Sequence, residues 1–271
     1  MHVLVTGGSG FIGSYVVEEL LAQGHKVTMF DRRSRPEVPG VTSFLGDTRD
    51  KTAISEAVSM CNGVIHLAGV LGTQETIDDP WPAAETNIEG GLNVFQAIRK
   101  YDVPGVYIAT GNWWMNNSYS ITKNATERFA LMANKEWGTH IAVVRALNAY
   151  GPRQKVGPVR KIIPTFVNLA LQHKPITIYG NGEQIMDMIF VSDVAKILVL
   201  ALTEEHGVYE STFEAGTGRA TTVNDIAEMV CRLVGHGQVE HLPMRPGEPE
   251  NSVVIGNPDT LKPLNFDVWN L

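Results

Sequence analysis

Two groups of residues in this chain could do chemistry together. Tyr119 and Lys123 stand four residues apart, and on a helix that spacing brings both side chains to one face. A Lys ammonium beside the phenol favours the phenolate, lowering a tyrosine pKa whose unperturbed value is about 10. Tyr119 then becomes a base usable near neutral pH. Far upstream, Gly7, Gly10 and Gly13 punctuate the run Thr6-Gly-Gly-Ser-Gly-Phe11-Ile12-Gly13. A glycine-rich turn between a strand and a helix lets backbone N–H groups approach a pyrophosphate, which the helix N-terminus also attracts. Either group alone is a weak signal, since tight strand–helix corners and surface Tyr/Lys pairs are common. In this order they describe a site where a tyrosine moves a proton while a dinucleotide takes or gives a hydride.

The elements that must position these residues follow from periodicity. Met1 to Thr6 is a short apolar run closed by glycines, which suits a buried parallel strand. Ile12, Val16 and Leu20 then recur at helical spacing over Phe11 to Gln23, with Gly24 placed to cap the helix. Val27 to Phe30, Val41 to Leu45, Gly63 to Leu67, Val106 to Ala109 and Ile141 to Val144 read as further strands. Helical stretches near 52–60, 84–101 and 120–137 separate them. Alternation of this kind predicts an α/β fold, a doubly wound Rossmann-type parallel sheet. After Tyr150-Gly151-Pro152 glycine and proline recur, strands shorten, and helices near 161–173, 193–205 and 222–234 are expected. The division expected is a dinucleotide-binding domain over 1–150 and a smaller mixed α/β substrate domain over 151–271, with part of 185–215 returning to the first.

Bulk properties bound the function. The chain has 271 residues, 44% of them hydrophobic, and a formal charge of −7. That length allows one large domain or two sharing a cleft, and the acidic balance argues against nucleic acid as a partner. No apolar run approaches the roughly 18 residues of a membrane helix, and Val3 to Val5 reads into a structural motif rather than a signal peptide. A cytoplasmic protein is expected. Cys61 and Cys231 lack metal-ligand spacing and read as isolated buried thiols; no metal is expected.

Asp31 closes the second strand, where an acidic side chain accepts hydrogen bonds from the adenosine ribose hydroxyls and repels a 2′-phosphate. It favours NAD, although the guanidinium groups of Arg32 and Arg33 could accommodate NADP. With TGGSGFIG at 6–13, Gly46-Asp47-Thr48-Arg49-Asp50, Val64-Ile-His-Leu67-Ala68-Gly69, Asn87, the Tyr119/Lys123 pair, Arg145-Ala-Leu-Asn148-Ala-Tyr150-Gly-Pro-Arg153-Gln154, Ile176-Thr-Ile-Tyr-Gly-Asn-Gly-Glu-Gln184 and Arg245-Pro-Gly-Glu248, the chain resembles the extended short-chain dehydrogenase/reductase superfamily. Within it the resemblance is to the NAD-dependent nucleotide-sugar epimerase/dehydratase family, and it runs nearly end to end. It implies that Gly7, Gly10, Phe11, Ile12, Gly13, Asp31, Arg32, Asp47, Thr48, Leu67, Ala68, Gly69, Asn87, Tyr119 and Lys123 bind the cofactor. It implies that Thr110 hydrogen-bonds the reacting hydroxyl, that Tyr119 and Lys123 are catalytic, and that Asn148, Arg153 and Arg245 hold the substrate.

Departures from the family pattern narrow the expectation. Few residues separate Thr110 from Tyr119, so the loop Gly111 to Ser118 is short, and its Trp113 and Trp114 either line the sugar or simply pack. The dehydratases carry an acidic pair after the threonine, and the related decarboxylases a glutamate; here Gly111 and Asn112 stand there, and neither exchanges a proton near neutral pH. Met186 occupies a position where many relatives have a diphosphate-gripping arginine, leaving Arg245, with Arg153, Lys155, Arg160 and Lys161 near in sequence. The expected function is an NAD-dependent epimerase acting at C4 of a UDP-hexose or UDP-hexuronate. A net sugar or uronate dehydrogenase and a non-catalytic NAD sensor are the alternatives. The resemblance also implies a homodimer built on the helices near 84–101 and after Tyr119, with Phe129, Met132 and Ala133 at the contact.

Overall fold

The computed structural model describes residues 1–33, 38–203, 209 and 211–268; the end of the helix expected near 193–205 falls outside them. The first half comprises β1 (His2–Thr6), α1 (Phe11–Ala22), β2 (Lys26–Asp31), β3 (Val41–Leu45), α2 (Lys51–Ser59) and β4 (Gly63–His66). A helical run follows, made of α3 (Trp81–Ala83), a π turn (Ala84–Glu89) and α4 (Gly90–Tyr101). Then come β5 (Gly105–Thr110), α5 (Ser118–Trp137) and β6 (Ile141–Ala146). The second half holds β7 (Asn148–Tyr150), α6 (Ile162–Leu171), β8 (Ile176–Tyr179), β9 (Ile185–Met186), β10 (Met188–Phe190), α7 (Val191–Thr203), β11 (Thr212–Ala215), β12 (Thr221–Thr222), α8 (Val223–Val234), β13 (Val239–Leu242), β14 (Val253–Val254) and a 3-10 helix (Pro258–Leu264).

Seven strands pair in the order β11-β6-β5-β4-β1-β2-β3, and every pairing is parallel. Strand residues alternate between the two faces. Val3 and Val5 join a core with Val16, Val17 and Leu20 of α1 and Val194, Ile197 and Leu198 of α7. Leu4, Val64 and Tyr107 face the opposite side, against Ile54 of α2, Val94 and Phe95 of α4, and Ala130 and Ala133 of α5. Both faces are therefore covered, as continuous apolar strands such as β1 require. The chain reverses direction across the sheet between β1 and β4, so the loops after β1, β2, β4, β5 and β6 open on a common crevice.

Side chains close several of the helix N-termini. Asp50 caps α2, Asn117 caps α5, and Thr222 and Asp225 form a capping box on α8. By contrast, α1 has no side-chain cap and no acid in its first turn. Its first N–H groups are left for an anion.

The second half packs a smaller core from Phe166 and Ala170 of α6, Ile176 and Ile178 of β8, and Ile226, Ala227 and Val230 of α8. One carboxylate locks this region to the sheet. Asp187, between β9 and β10, is fully buried and accepts from Thr217 N and Oγ1 at 2.8 and 2.6 Å, Gly218 N at 2.8 Å and Gly256 N at 3.0 Å. The sequence carries a signal for it, since a lone acid inside Ile185-Met-Asp-Met-Ile189 points to a buried, partnered carboxylate.

Cys61 and Cys231 are both free; Cys231 is half-buried rather than buried, correcting that part of the expectation. Among the described residues no helix is long and apolar enough to cross a membrane.

Replacing Asp187 with Ala strands three backbone donors, that of Gly256 buried, and should cost on the order of 2–4 kcal/mol in denaturant unfolding. Asp187→Asn, which keeps an acceptor, should cost less.

Candidate active site

The crevice is a cavity of about 830 Å³. Its walls carry Gly7, Gly10, Phe11, Ile12, Gly13, Asp31, Arg32, Asp47, Thr48, Leu67, Ala68, Gly69, Thr110, Tyr119, Lys123, Asn148 and Arg245. The sequence-predicted residues are thus brought together from both halves of the chain, with two exceptions.

Arg153 is the first. Its guanidinium makes two hydrogen bonds to the Glu18 carboxylate and lies 3.7 Å above the Tyr15 ring. It belongs to the outer surface of α1 and is not on the cavity wall, because the bidentate carboxylate and the aromatic face offer the planar guanidinium a complete site there. Asn87 is the second. It sits in the π turn, accepts from Val70 N at 2.8 Å, and donates to Val70 O at 3.1 Å and Thr122 Oγ1 at 2.9 Å. It staples the loop after β4 to the Tyr119 helix and does not line the cavity. Trp113 also turns away from the cavity, stacking 5.0 Å from the Arg145 guanidinium. Trp114 borders a separate small cavity with Gly247 and Pro249.

The glycine turn has no room for side chains. Gly7 takes φ +70°, and a Cβ on it would stand 2.8 Å from Ala68 N; one on Gly13 would stand 2.3 Å from Gly7 O. With the uncapped α1 behind it, this turn is shaped for a pyrophosphate. Asp31 Oδ2 accepts from Ser9 N at 3.2 Å and from Ser9 Oγ, which fixes the carboxylate at the end of β2. Asp47 is gripped by Arg49 and lies 3.9 Å from Arg32. The Arg49 hydrogen bond holds the Asp47 carboxyl below its usual range. These residues fit a dinucleotide: a close-approach cradle, free helix amides, and an acid where a ribose would lie.

At the centre, Thr110 at the end of β5 donates to Asn112 Oδ1 at 2.5 Å. Asn117 caps the first turn of α5 through Ser120 N at 2.9 Å, orienting Tyr119. Lys123 is only 4% exposed, and its Nζ lies 4.2 Å from the centre of the Tyr107 ring. Burial pushes the Lys123 ammonium down to about 7, with Glu127 opposing the shift. The expectation of a lowered Tyr119 needs correction: burial raises its phenol, and the neighbouring Thr110 hydroxyl offsets this only in part. Desolvation outweighs the helix neighbour because both groups share the same dry interior.

Beneath them, His66 is pushed down to about 3 by burial and by Lys123. Thr6 Oγ1 accepts from Leu67 N and Ala68 N, each at 3.2 Å, and so gives its single hydrogen to His66 Nδ1 at 2.7 Å. His66 is a neutral floor to the site.

The far end of the cavity is ionic. Arg245 donates to Glu248 at 2.6 Å and lies over Tyr179, while Thr73 donates to Glu248 at 2.9 Å. Lys161 and Arg160 border the same space, with Glu75, whose Oε1 accepts from Arg160 N at 3.3 Å. Burial lowers the Lys161 ammonium despite Glu75 and Glu248. Glu75 had no sequence signal, because only the path of the loop after β4 carries it here. Glu127 did have one: it stands eight residues after Tyr119, on the same helix face. Among the described residues no cluster of His, Cys, Asp and Glu is arranged to hold a metal.

Comparison with known proteins agrees with this geometry. Residues 3–216 match the NAD dependent epimerase/dehydratase family, and the chain belongs to that family, whose cofactor is NAD. More particularly, it is similar to the UDP-N-acetyl-alpha-D-glucosaminuronate decarboxylase of Bacillus cytotoxicus, at 29% identity over 96% of this chain and 89% of that protein. It is similar also to the Thermus thermophilus UDP-glucose 4-epimerase solved with NAD, at 29% identity and a TM-score of 0.88 over 98% of this chain and 93% of that one. The Thermotoga maritima UDP-glucose 4-epimerase solved with UDP-glucose matches at 28% identity and a TM-score of 0.90, over 99% and 94%.

Two outcomes follow. Arg153→Ala removes a surface ion pair worth about 0–1 kcal/mol and should leave the KM for any cleft ligand unchanged within about twofold in steady-state kinetics. Lys123 binds its proton less tightly folded, at about 7, than unfolded, near 10.5. The charged form is therefore penalised in full below pH 7, and the penalty fades as the pH rises towards 10.5. Lys123→Met should raise the melting temperature most at pH 6 and least at pH 10, as scanning calorimetry would record.

Proposed function

We propose that the protein is an NAD-dependent nucleotide-sugar epimerase that inverts C4 of a UDP-hexose or UDP-hexuronate through a transient 4-keto sugar. The observation that carries this reading is the Thr110, Tyr119 and Lys123 set on the cavity wall with Gly111 and Asn112 following Thr110. These residues serve removal and return of a proton on one hydroxyl, and nothing at 111 or 112 exchanges a second proton. NAD, when bound, supplies reversible hydride acceptance. Gly7, Gly10 and Gly13 would cradle its pyrophosphate and Asp31 its adenosine ribose, while Lys123 would reach its nicotinamide ribose.

The chain's own part is proton management. Tyr119 takes the proton of the C4 hydroxyl and later gives it back. The raised phenol makes it a poor base until a further favourable charge joins Lys123 in the site. Thr110 orients the same hydroxyl. Arg245 and Asn148 hold the diphosphate, and Lys161, which makes no ion pair among the described residues, adds charge where Met186 offers none. The same reading gives the chain a second copy of itself as partner, on the face of α5 that exposes Ile121 and Phe129. Ala133 is fully buried in its own core and takes no part in such a contact.

A second reading rests on Glu75, a carboxylate on the cavity wall. A reaction that protonates a sugar carbon, such as decarboxylation of a uronate, where C5 takes a proton as carbon dioxide leaves, would need such a group. The experiment is incubation with UDP-, dTDP- and GDP-sugars, with products identified by NMR and mass spectrometry. The epimerase reading expects a C4 epimer of equal mass and no accumulating NADH. Tyr119→Phe should lower kcat by about 10²–10⁴-fold. Loss of carbon dioxide that disappears in Glu75→Gln would favour the second reading, and turnover of a free sugar acid with stoichiometric NADH would overturn both.

A further inference from the structure

Tyr119, Lys123 and Glu127 lie four residues apart in turn along α5, and so share one face. The first two serve the cavity. Glu127 lies deeper, 3% exposed, and is held from β6 by Arg145. The Arg145 Nη2 donates to Glu127 Oε1 at 2.5 Å, and its Nε lies 3.2 and 3.1 Å from the two carboxylate oxygens. The other side of that guanidinium meets Glu214 of β11 at 3.3 Å, and its face is covered by Trp113 of the short loop.

An ammonium in a dry interior needs an opposing charge, and a bare buried carboxylate would need one too. The groups that meet Lys123 are few. On its own helix they are Tyr119 and Glu127; on β5, Tyr107; and on β4, the neutral His66, while Arg145 of β6 and Glu214 of β11 stand behind Glu127. From the π turn and α4, which pack on the other flank, Glu85, Glu89, Arg99 and Lys100 are exposed, and α3 carries no charge. Among these groups Glu127 is the only anion on the Lys123 face of the helix.

We propose that Glu127 is a positioning residue that keeps the Lys123 ammonium charged inside the protein, and that Arg145 sets how much of the Glu127 charge Lys123 receives. The tyrosine–lysine pair then depends on a third and a fourth member, one from its own helix and one from the neighbouring strand. This rests on the proposed role of Lys123, yet its physical content does not require turnover.

The test is NMR titration of the protein labelled with 13C at the lysine ε carbons, with the Lys123 signal assigned by its absence in Lys123→Met. The wild-type midpoint is expected near neutral pH. In Glu127→Gln it should fall by about one unit or more, and in Glu127→Asp by less, since a neighbouring opposite charge shifts a titration by about 1–3 units. In Arg145→Gln it should rise, because Glu127 is then answered by Lys123 alone. Where Arg145→Gln fails to fold, the graded pair of Glu127 variants decides. In an active enzyme the alkaline limb of kcat/KM should move in the same direction as the midpoint, with NAD affinity unchanged. A Lys123 midpoint in Glu127→Gln within about 0.3 unit of wild type, far short of the usual charge effect, overturns the proposal. If the midpoints shift as stated while no nucleotide sugar is turned over, the functional reading fails and this one stands.

Discussion

The arrangement at the open edge of the sheet depends on one constraint, the burial of the Lys123 ammonium. A charge taken out of water either loses its proton or finds partners. Here the ring face of Tyr107 lies beneath it, and Glu127 opposes the fall in its pKa. Glu127 brings Arg145 with it, and Arg145 brings Glu214 and Trp113. The last strand of the sheet and the short loop over the cavity are thus tied to the helix that carries Tyr119. His66 remains neutral beneath because burial, and then the nearby Lys123 charge, disfavours a proton on its ring.

The same economy shapes the second half of the chain. Its elements are short, and its core is small. What fixes it against the sheet is Asp187, whose carboxylate collects backbone donors from the loop after β11 and from the segment after β14. The cavity needs both halves: Thr110 and Tyr119 come from one, Arg245 and Lys161 from the other. The placing of the cavity residues from the second half therefore depends on that carboxylate network.

Much of this was legible in the sequence, where the signal is local. Glycine spacing, an acid closing β2, and a tyrosine and lysine one helical turn apart all lie within a few residues of each other, and the backbone converts such spacing directly into geometry. Alternating apolar strands and helices gave the doubly wound sheet for the same reason. What could not be read were choices between distant partners. Arg153 looked like a substrate ligand, but Glu18 and Tyr15 hold it outside. Asn87 looked like a cofactor ligand and is a staple across the π turn. The Tyr119 phenol looked lowered by its neighbour, but burial, which no motif records, outweighs it. Glu75 reaches the cavity only through the path of its loop.

Under the proposed function a sugar is oxidised and then reduced at the same carbon, with Tyr119 moving one proton out and back. A UDP-sugar carrying deuterium at C4 tests this most directly. The predicted result is a product inverted at C4 that retains the deuterium at that carbon, with no NADH accumulating. Deuterium lost to solvent, or trapped in stoichiometrically reduced cofactor, would contradict it.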